Sequence, residues 1–188
     1  MSHEPIVTEI LTNSFLENKS IQYVVKQDSK RIIRTQQLIQ YSFNVCNTFG
    51  DVWISDDEKG CALVLLPDQK KTTMRTILWD AKLATSVIGL SKVMKVMSRE
   101  GKIKKEHPGE PFAYLWYIGV DPTAQGKGTG TKLLKEILSE YDKQNKPVYL
   151  ETSTLRNIPW YEAHGFEIYN KLFFTYELFM LRRLLSTN

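Results

Sequence analysis

The sequence predicts an α+β fold built around a mixed β-sheet, and three observations carry that reading. A continuous apolar run, Phe112 to Val120, leads into the glycine turn Gln125-Gly126-Lys127-Gly128-Thr129-Gly130 and then into an amphipathic helical pattern from Leu133 to Tyr141. A second apolar run, Val148 to Thr152, follows that helix, and strand–helix–strand implies a parallel pair with a right-handed crossover. Earlier in the chain, Asp51–Ser55 and Cys61–Leu66 flank the polar, glycine-ended loop Asp56–Gly60, which reads as a hairpin.

The other elements follow in order. Ile6 to Glu17 carries an apolar stripe through Ile6, Ile10, Phe15 and Leu16 and predicts a helix, which Asn18-Lys19-Ser20 ends. Ile21–Val25 is a short apolar patch, either a strand or a single turn. Lys30 to Phe49 predicts a second helix, with Ile33, Gln37, Tyr41 and Val45 four residues apart and Gly50 as its C-terminal glycine. After Pro67 a long helical region begins near Thr72. Its residues Trp79, Leu83, Val87, Leu90, Met94 and Met97 recur at steps of three and four, on one helix or on two broken near Gly89. Such a stripe reads first as core-facing, and otherwise as a pocket wall or lid. Gly101 to Gly109 reads as a basic, solvated loop. Phe112 to Val120 is apolar on both faces, as in a central strand covered on both sides. Thr129 to Lys143 is the helix after the glycine turn, Asn157 to His164 a short helix ended by Gly165, and Phe166–Tyr169 and Phe173–Leu181 are the last strands. The apolar last strand either forms a sheet edge or finishes the core.

Composition bounds the function. A chain of 188 residues, 42% hydrophobic, suits one domain spanning 1–188 with a sizeable core. A formal charge of +4 is too mild to call for nucleic acid and suits an anionic small molecule at least as well. Cys46 and Cys61 are far apart and form no metal-ligand spacing, so buried free thiols and no metal are expected. No basic segment precedes an apolar one near Met1, and no apolar run is long enough to span a bilayer. A cytoplasmic protein without a membrane partner, monomeric or homodimeric, is the expectation.

The glycine turn is the centre of the chemistry. Strand, glycine turn and helix together present free backbone N–H groups to a phosphate at a helix N-terminus. The P-loop pattern is absent, and G-x-G-x-G differs from the dinucleotide spacing G-x-G-x-x-G. Gln125-x-x-Gly128-x-Gly130, after a strand ending Ile118-Gly119-Val120-Asp121-Pro122, instead resembles the acetyl-CoA motif of the GNAT superfamily of N-acetyltransferases. Leu150-Glu151-Thr152-Ser153, followed by Asn157-Ile158-Pro159-Trp160-Tyr161-Glu162-Ala163-His164-Gly165-Phe166, resembles the later strand–helix pair of the same superfamily. The layout of the N-terminal half, with its helical insertion before the central strand, is similar to the puromycin-acetyltransferase-like branch.

The resemblance implies a twisted mixed sheet flanked by helices, with a splayed pair of strands. It also implies an acetyl-CoA-dependent N-acetyltransferase that uses direct attack in a ternary complex. Pantetheine would run along the backbone of Ile118, Gly119 and Val120, and the pyrophosphate would meet the N–H groups from Gly126 through Lys127, Gly128, Thr129 and Gly130 to Thr131. Lys127 either adds a screened attraction to phosphate or is a solvated loop residue. Asn157 either caps its helix or contacts coenzyme A; one side chain could not easily do both. The Val120 N–H is the implied oxyanion donor, and Tyr161 the implied acid that protonates the coenzyme A sulfur, or else a buried anchor for its helix. Glu151 is the nearest acidic candidate for a general base, or a salt-bridged strand residue. His164 reads as a base or, at a helix end, a surface histidine. Tyr114, Trp116 and Tyr117 either wall an acceptor pocket or belong to the core. A small-molecule primary amine is the expected acceptor; a protein or peptide amine, or a non-catalytic coenzyme A sensor, is the alternative.

Overall fold

A computed structural model describes residues 3–185. Six strands form one sheet in the order β1-β2-β3-β4-β6-β5. They are β1 Gly50–Ile54, β2 Gly60–Leu65, β3 Ala113–Val120, β4 Val148–Thr152, β5 Glu167–Phe173 and β6 Glu177–Arg183. The helices are α1 Glu4–Phe15, α2 Lys19–Val24, α3 Arg31–Phe49, α4 Met74–Lys82, α5 Leu90–Glu106, α6 Thr129–Lys143 and α7 Ile158–Glu162. Only β3 and β4 pair in parallel; every other neighbour is antiparallel. The sheet is mixed and the class is α+β, as the sequence predicts.

Helices cover both faces of the sheet centre, which is why all six residues of β2 are buried. Leu63 and Leu65 join Val7, Leu11, Ile39 and Phe43 of α1 and α3 on one face. Ala62 and Val64 join Leu133, Leu134, Ile137 and Tyr141 of α6 on the other. Cys46 and Cys61 are free and buried, and burial pushes the Cys61 thiol up to about 12. Such thiols pack as small apolar groups and are poor nucleophiles.

Several expectations are corrected. Ile21–Val25 is neither strand nor single turn; most of it lies in α2, because the Asn18 side chain accepts from Ser20 N at 2.9 Å and Ile21 N at 3.3 Å and so starts a helix. Gly50 is not a left-handed helix cap: it is extended and opens β1. Its glycine is required by a close approach, since a Cβ there would lie 2.1 Å from the Val64 carbonyl oxygen. The helical region breaks at Gly89 as predicted, with φ +80°, but a π-helical stretch, Leu83–Ile88, precedes the break. Beyond it Leu90, Met94 and Met97 point to solvent, and α5 buries Val96, Arg99 and Ile103 instead. That buried face carries the helix through Gly101 to Glu106, where the sequence reads as a loop. A Cβ on Gly101 would meet nothing, so its cost is only the intrinsic one for a helical glycine. The last strand, β6, lies between β4 and β5, and β5 is the edge.

Two features set the geometry of the site. In the β2–β3 pairing the register passes from Leu63↔Tyr117 to Val64↔Leu115, so Trp116 is an extra residue in a β-bulge. A Cβ on Gly119 would come within 2.8 Å of Leu11 Cδ2, so a glycine there lets α1 pack down on the end of β3. Gly50→Ala is expected to cost about 3 kcal/mol, the upper part of the range for forced overpacking, measured by urea unfolding.

Candidate active site

The site begins where β3 and β4 separate. Their pairing covers only Ala113↔Val148 and Tyr114↔Tyr149. Asp121 N donates to Lys59 O at 2.7 Å, and β2 and β3 run in register as Gly60↔Val120. Antiparallel pairs alternate, so the N–H and C=O of Val120 point away from β2 and toward the gap. Ser14 Oγ donates to the Val120 carbonyl at 2.9 Å and Gln125 Nε2 at 3.4 Å. The Val120 N–H is left to face the gap. Asn18 Nδ2 reaches Thr154 Oγ1, just past β4, at 3.5 Å, so the end of α1 and the turn after it touch both sides of the gap.

The start of α6 closes one end of the gap. Gly126 and Gly128 have φ of +78° and +88°, a conformation costly to other residues, and a Cβ on either would meet nothing within 4 Å. They keep the approach to the first N–H groups of α6 open, where the helix dipole contributes about half a positive charge. Gly130 packs close to the strand end: a Cβ there would be 3.2 Å from Val120 Cγ2. The Thr129 hydroxyl donates to Asp57 at 3.0 Å, and the Thr131 hydroxyl accepts from Trp160 Nε1 at 3.1 Å. The hydrogen bond from Ser55 and another from the Lys59 backbone hold the Asp57 carboxyl below the usual range, so it anchors that hydroxyl as an anion.

One cavity of about 1240 Å³ runs from this turn along the gap. Every site residue predicted from sequence lines it except His164 and Lys127, the latter exposed on the turn outside it. Asn157 makes no capping bond to α7, so its amide is available to the cavity. Tyr161 is 6% exposed, and burial pushes its phenol well above the ordinary range. It therefore stays protonated at neutral pH and keeps a proton to donate. His164 lies outside the cavity: its Nδ1 is 2.7 Å from the Trp160 carbonyl, where it caps the end of α7.

Also lining the cavity, Glu151 is almost fully buried, with both oxygens engaged. His107 Nε2 is 2.7 Å from Oε1, and the Tyr114 hydroxyl donates to Oε2. Burial and the neighbouring carboxylate hold the Tyr114 phenol far above its usual value. His107 also packs its ring on Phe112 and Tyr114 at 5.1 Å. The sequence reading missed His107: it stands just beyond α5, 44 residues from its partner, next to Pro108-Gly109, and no spacing joins it to Glu151. Tyr114, Trp116 and Tyr117 line the cavity while also packing on the core, so both readings of them hold. Tyr41, with its hydroxyl 2.7 Å from Asp80, sets its ring edge-on to Trp116.

Residues 88–168 match the model of the acetyltransferase (GNAT) domain. That stretch of the chain is similar to a GNAT acetyltransferase domain. A 62-residue stretch, 33% of the chain, is 42% identical to an uncharacterized N-acetyltransferase of Schizosaccharomyces pombe, and the match spans only 25% of that protein. The GNAT fold also appears in solved structures. The histone acetyltransferase HPA2 and related acetyltransferase of Corynebacterium glutamicum superposes with a TM-score of 0.71 at 16% identity, covering 99% of this chain and 93% of that one. The C-terminal condensation domain of Ebony, solved with β-alanyl-dopamine, gives 0.67 at 11% identity over 96% and 93%. At these identities the solved structures show the fold alone, and no branch within it.

Because Asn157 caps nothing, Asn157→Ala is expected to leave stability within about 0.5 kcal/mol. It should weaken coenzyme A binding about fivefold, the worth of one net hydrogen bond, as read by calorimetric titration.

Proposed function

We propose that this GNAT domain transfers an acetyl group from acetyl-CoA to the primary amine of a small molecule. The observation that carries the reading is one cavity joining three things: the open α6 N-terminus, the Tyr161 phenol and the buried His107–Glu151–Tyr114 cluster. The donor set fits coenzyme A. The N–H groups from Gly126 to Thr131 suit a pyrophosphate. The unpaired edge of β3 at Ile118 and Val120 suits the amides of pantetheine, and Asn157 can add a polar contact. Lys127 contributes at most a screened attraction from outside the cavity. When bound, acetyl-CoA supplies an activated thioester.

The chain's own groups supply the rest. An amine arrives as ammonium and must lose a proton before it can attack. A proton on His107 Nε2 donates to Glu151 and leaves Nδ1 to take that proton. With both oxygens occupied, Glu151 acts through His107, as a positioning residue that also stabilises the imidazolium once formed. The Val120 N–H faces the gap as a donor for a carbonyl oxygen that gains negative charge. The buried Tyr161 phenol keeps its proton until the departing thiolate takes it, and the second proton lost by the attacking nitrogen as the amide forms restores the phenol.

Support for a small acceptor comes from the insertion. Val96, Arg99 and Ile103 of α5 close over the cavity, and Tyr41, Trp116 and Tyr117 give it aromatic walls. Such walls suit an amine on an apolar or flat body.

Thiol release from acetyl-CoA, measured across a panel of small amines and short peptides, tests the proposal. Turnover should be fastest with an apolar small amine; turnover confined to peptides, or absent throughout, would contradict it. Tyr161→Phe should lower kcat about 10²-fold, within the usual range for a lost general acid, with the KM for acetyl-CoA unchanged. His107→Ala and Glu151→Gln should each lower kcat and, combined, cost little more than His107→Ala alone, as groups acting in series do.

A further inference from the structure

We propose that the exposed face of α4 and α5 docks on an anionic lipid surface. The first observation is charge. Residues 70–106 hold ten of the chain's 25 Lys and Arg but only three of its 21 Asp and Glu, a local surplus larger than the +4 of the whole chain. The second is an apolar stripe on each of the two helices that no described residue covers. In α4, Met74 and Leu78 stand four residues apart, and in α5, Leu90, Met94 and Met97 recur at four and three. Each of these five is between 61% and 75% exposed. At 3.6 residues per turn the α5 stripe lies across the helix from the buried Val96, Arg99 and Ile103.

The arrangement of the two kinds of side chain points to lipid. Arg75 and Lys82 flank the α4 stripe, and Lys104 and Lys105 flank the end of the α5 stripe; all four are exposed. An apolar stripe edged by long basic side chains is the pattern that lies in a bilayer interface, apolar groups among the acyl chains and ammonium groups at the phosphates. An acidic protein would answer the charge but leave the Met and Leu side chains without an apolar partner. No helix among the described residues is long and apolar enough to cross a membrane, so the contact is peripheral. This revises the expectation, drawn from the lack of a long apolar run, that no membrane is involved. It stands independently of acetyl transfer.

The experiment is flotation of the full chain with phosphatidylcholine vesicles, with and without phosphatidylserine. The proposal predicts binding at least about tenfold stronger to the anionic vesicles, weakened by salt. It predicts loss of that binding in Leu90→Glu/Met94→Glu and in Arg75→Glu/Lys82→Glu, none of which lines the cavity, with circular dichroism and turnover of a soluble amine unchanged. Equal binding to both vesicles, no binding, or full binding by either variant would overturn it. So would a wild-type dimer that Leu90→Glu/Met94→Glu converts to monomer, because the stripe would then be a contact between copies. Competition by polyglutamate as strong as that by anionic vesicles would also overturn it, in favour of an acidic protein partner.

Discussion

The parting of β3 from β4 is the constraint on which the rest of the site depends. Each strand is paired along its outer edge, β3 with β2 as far as Val120 and β4 with β6 as far as Thr152, but the two meet only at their first residues. Buried backbone polar groups without partners are costly. A sheet that opens at its centre must therefore admit water or a ligand rich in amides. The structure holds the opening in place from one side: Gly119 lets α1 press on β3, and Ser14 satisfies the Val120 carbonyl while its N–H stays free. The glycine turn then sets the start of α6 at the mouth of the same gap.

The helical insertion supplies what the sheet cannot. It is held against α2 and α3 by Lys26 N on the Val87 carbonyl at 3.0 Å and by Arg34 on the Ser86 carbonyl. From there α5 runs across the cavity and delivers His107 to Glu151. A buried carboxylate is tolerable only when its oxygens are satisfied, and here a histidine and a tyrosine from two different elements do so. The acid and the base of the proposed reaction thus come from distant parts of the chain that line one cavity, Tyr161 on the short helix after β4 and His107 at the end of the insertion. Only the fold brings them to the same space.

How much was legible in the sequence follows from how local each signal is. The glycine turn, α6, β4 and the helix of Tyr161 are contiguous patterns with their own start and stop residues, and their bounds come out within a residue or two. Asn157 was legible as a position but not as a choice, since whether it caps depends on backbone angles. Gly50 was visible as a necessary glycine for the wrong reason: the decisive atom is a carbonyl on a neighbouring strand. The helical stripe held as a core signal for Trp79, Leu83 and Val87 but failed for Leu90, Met94 and Met97, because periodicity shows which residues share a face, not what that face meets. His107 had no local signal at all. Its partner is 44 residues away, on a strand whose facing direction depends on the splay.

Hydrogen–deuterium exchange with and without coenzyme A reads the proposed ligand contacts directly, because they fall on named backbone amides. They predict slowed exchange at Ile118 and Val120 and from Gly126 to Thr131, with Asp121, already bonded to Lys59, little changed. Exchange unaltered in those two segments at saturating coenzyme A, or slowed only elsewhere, would contradict them.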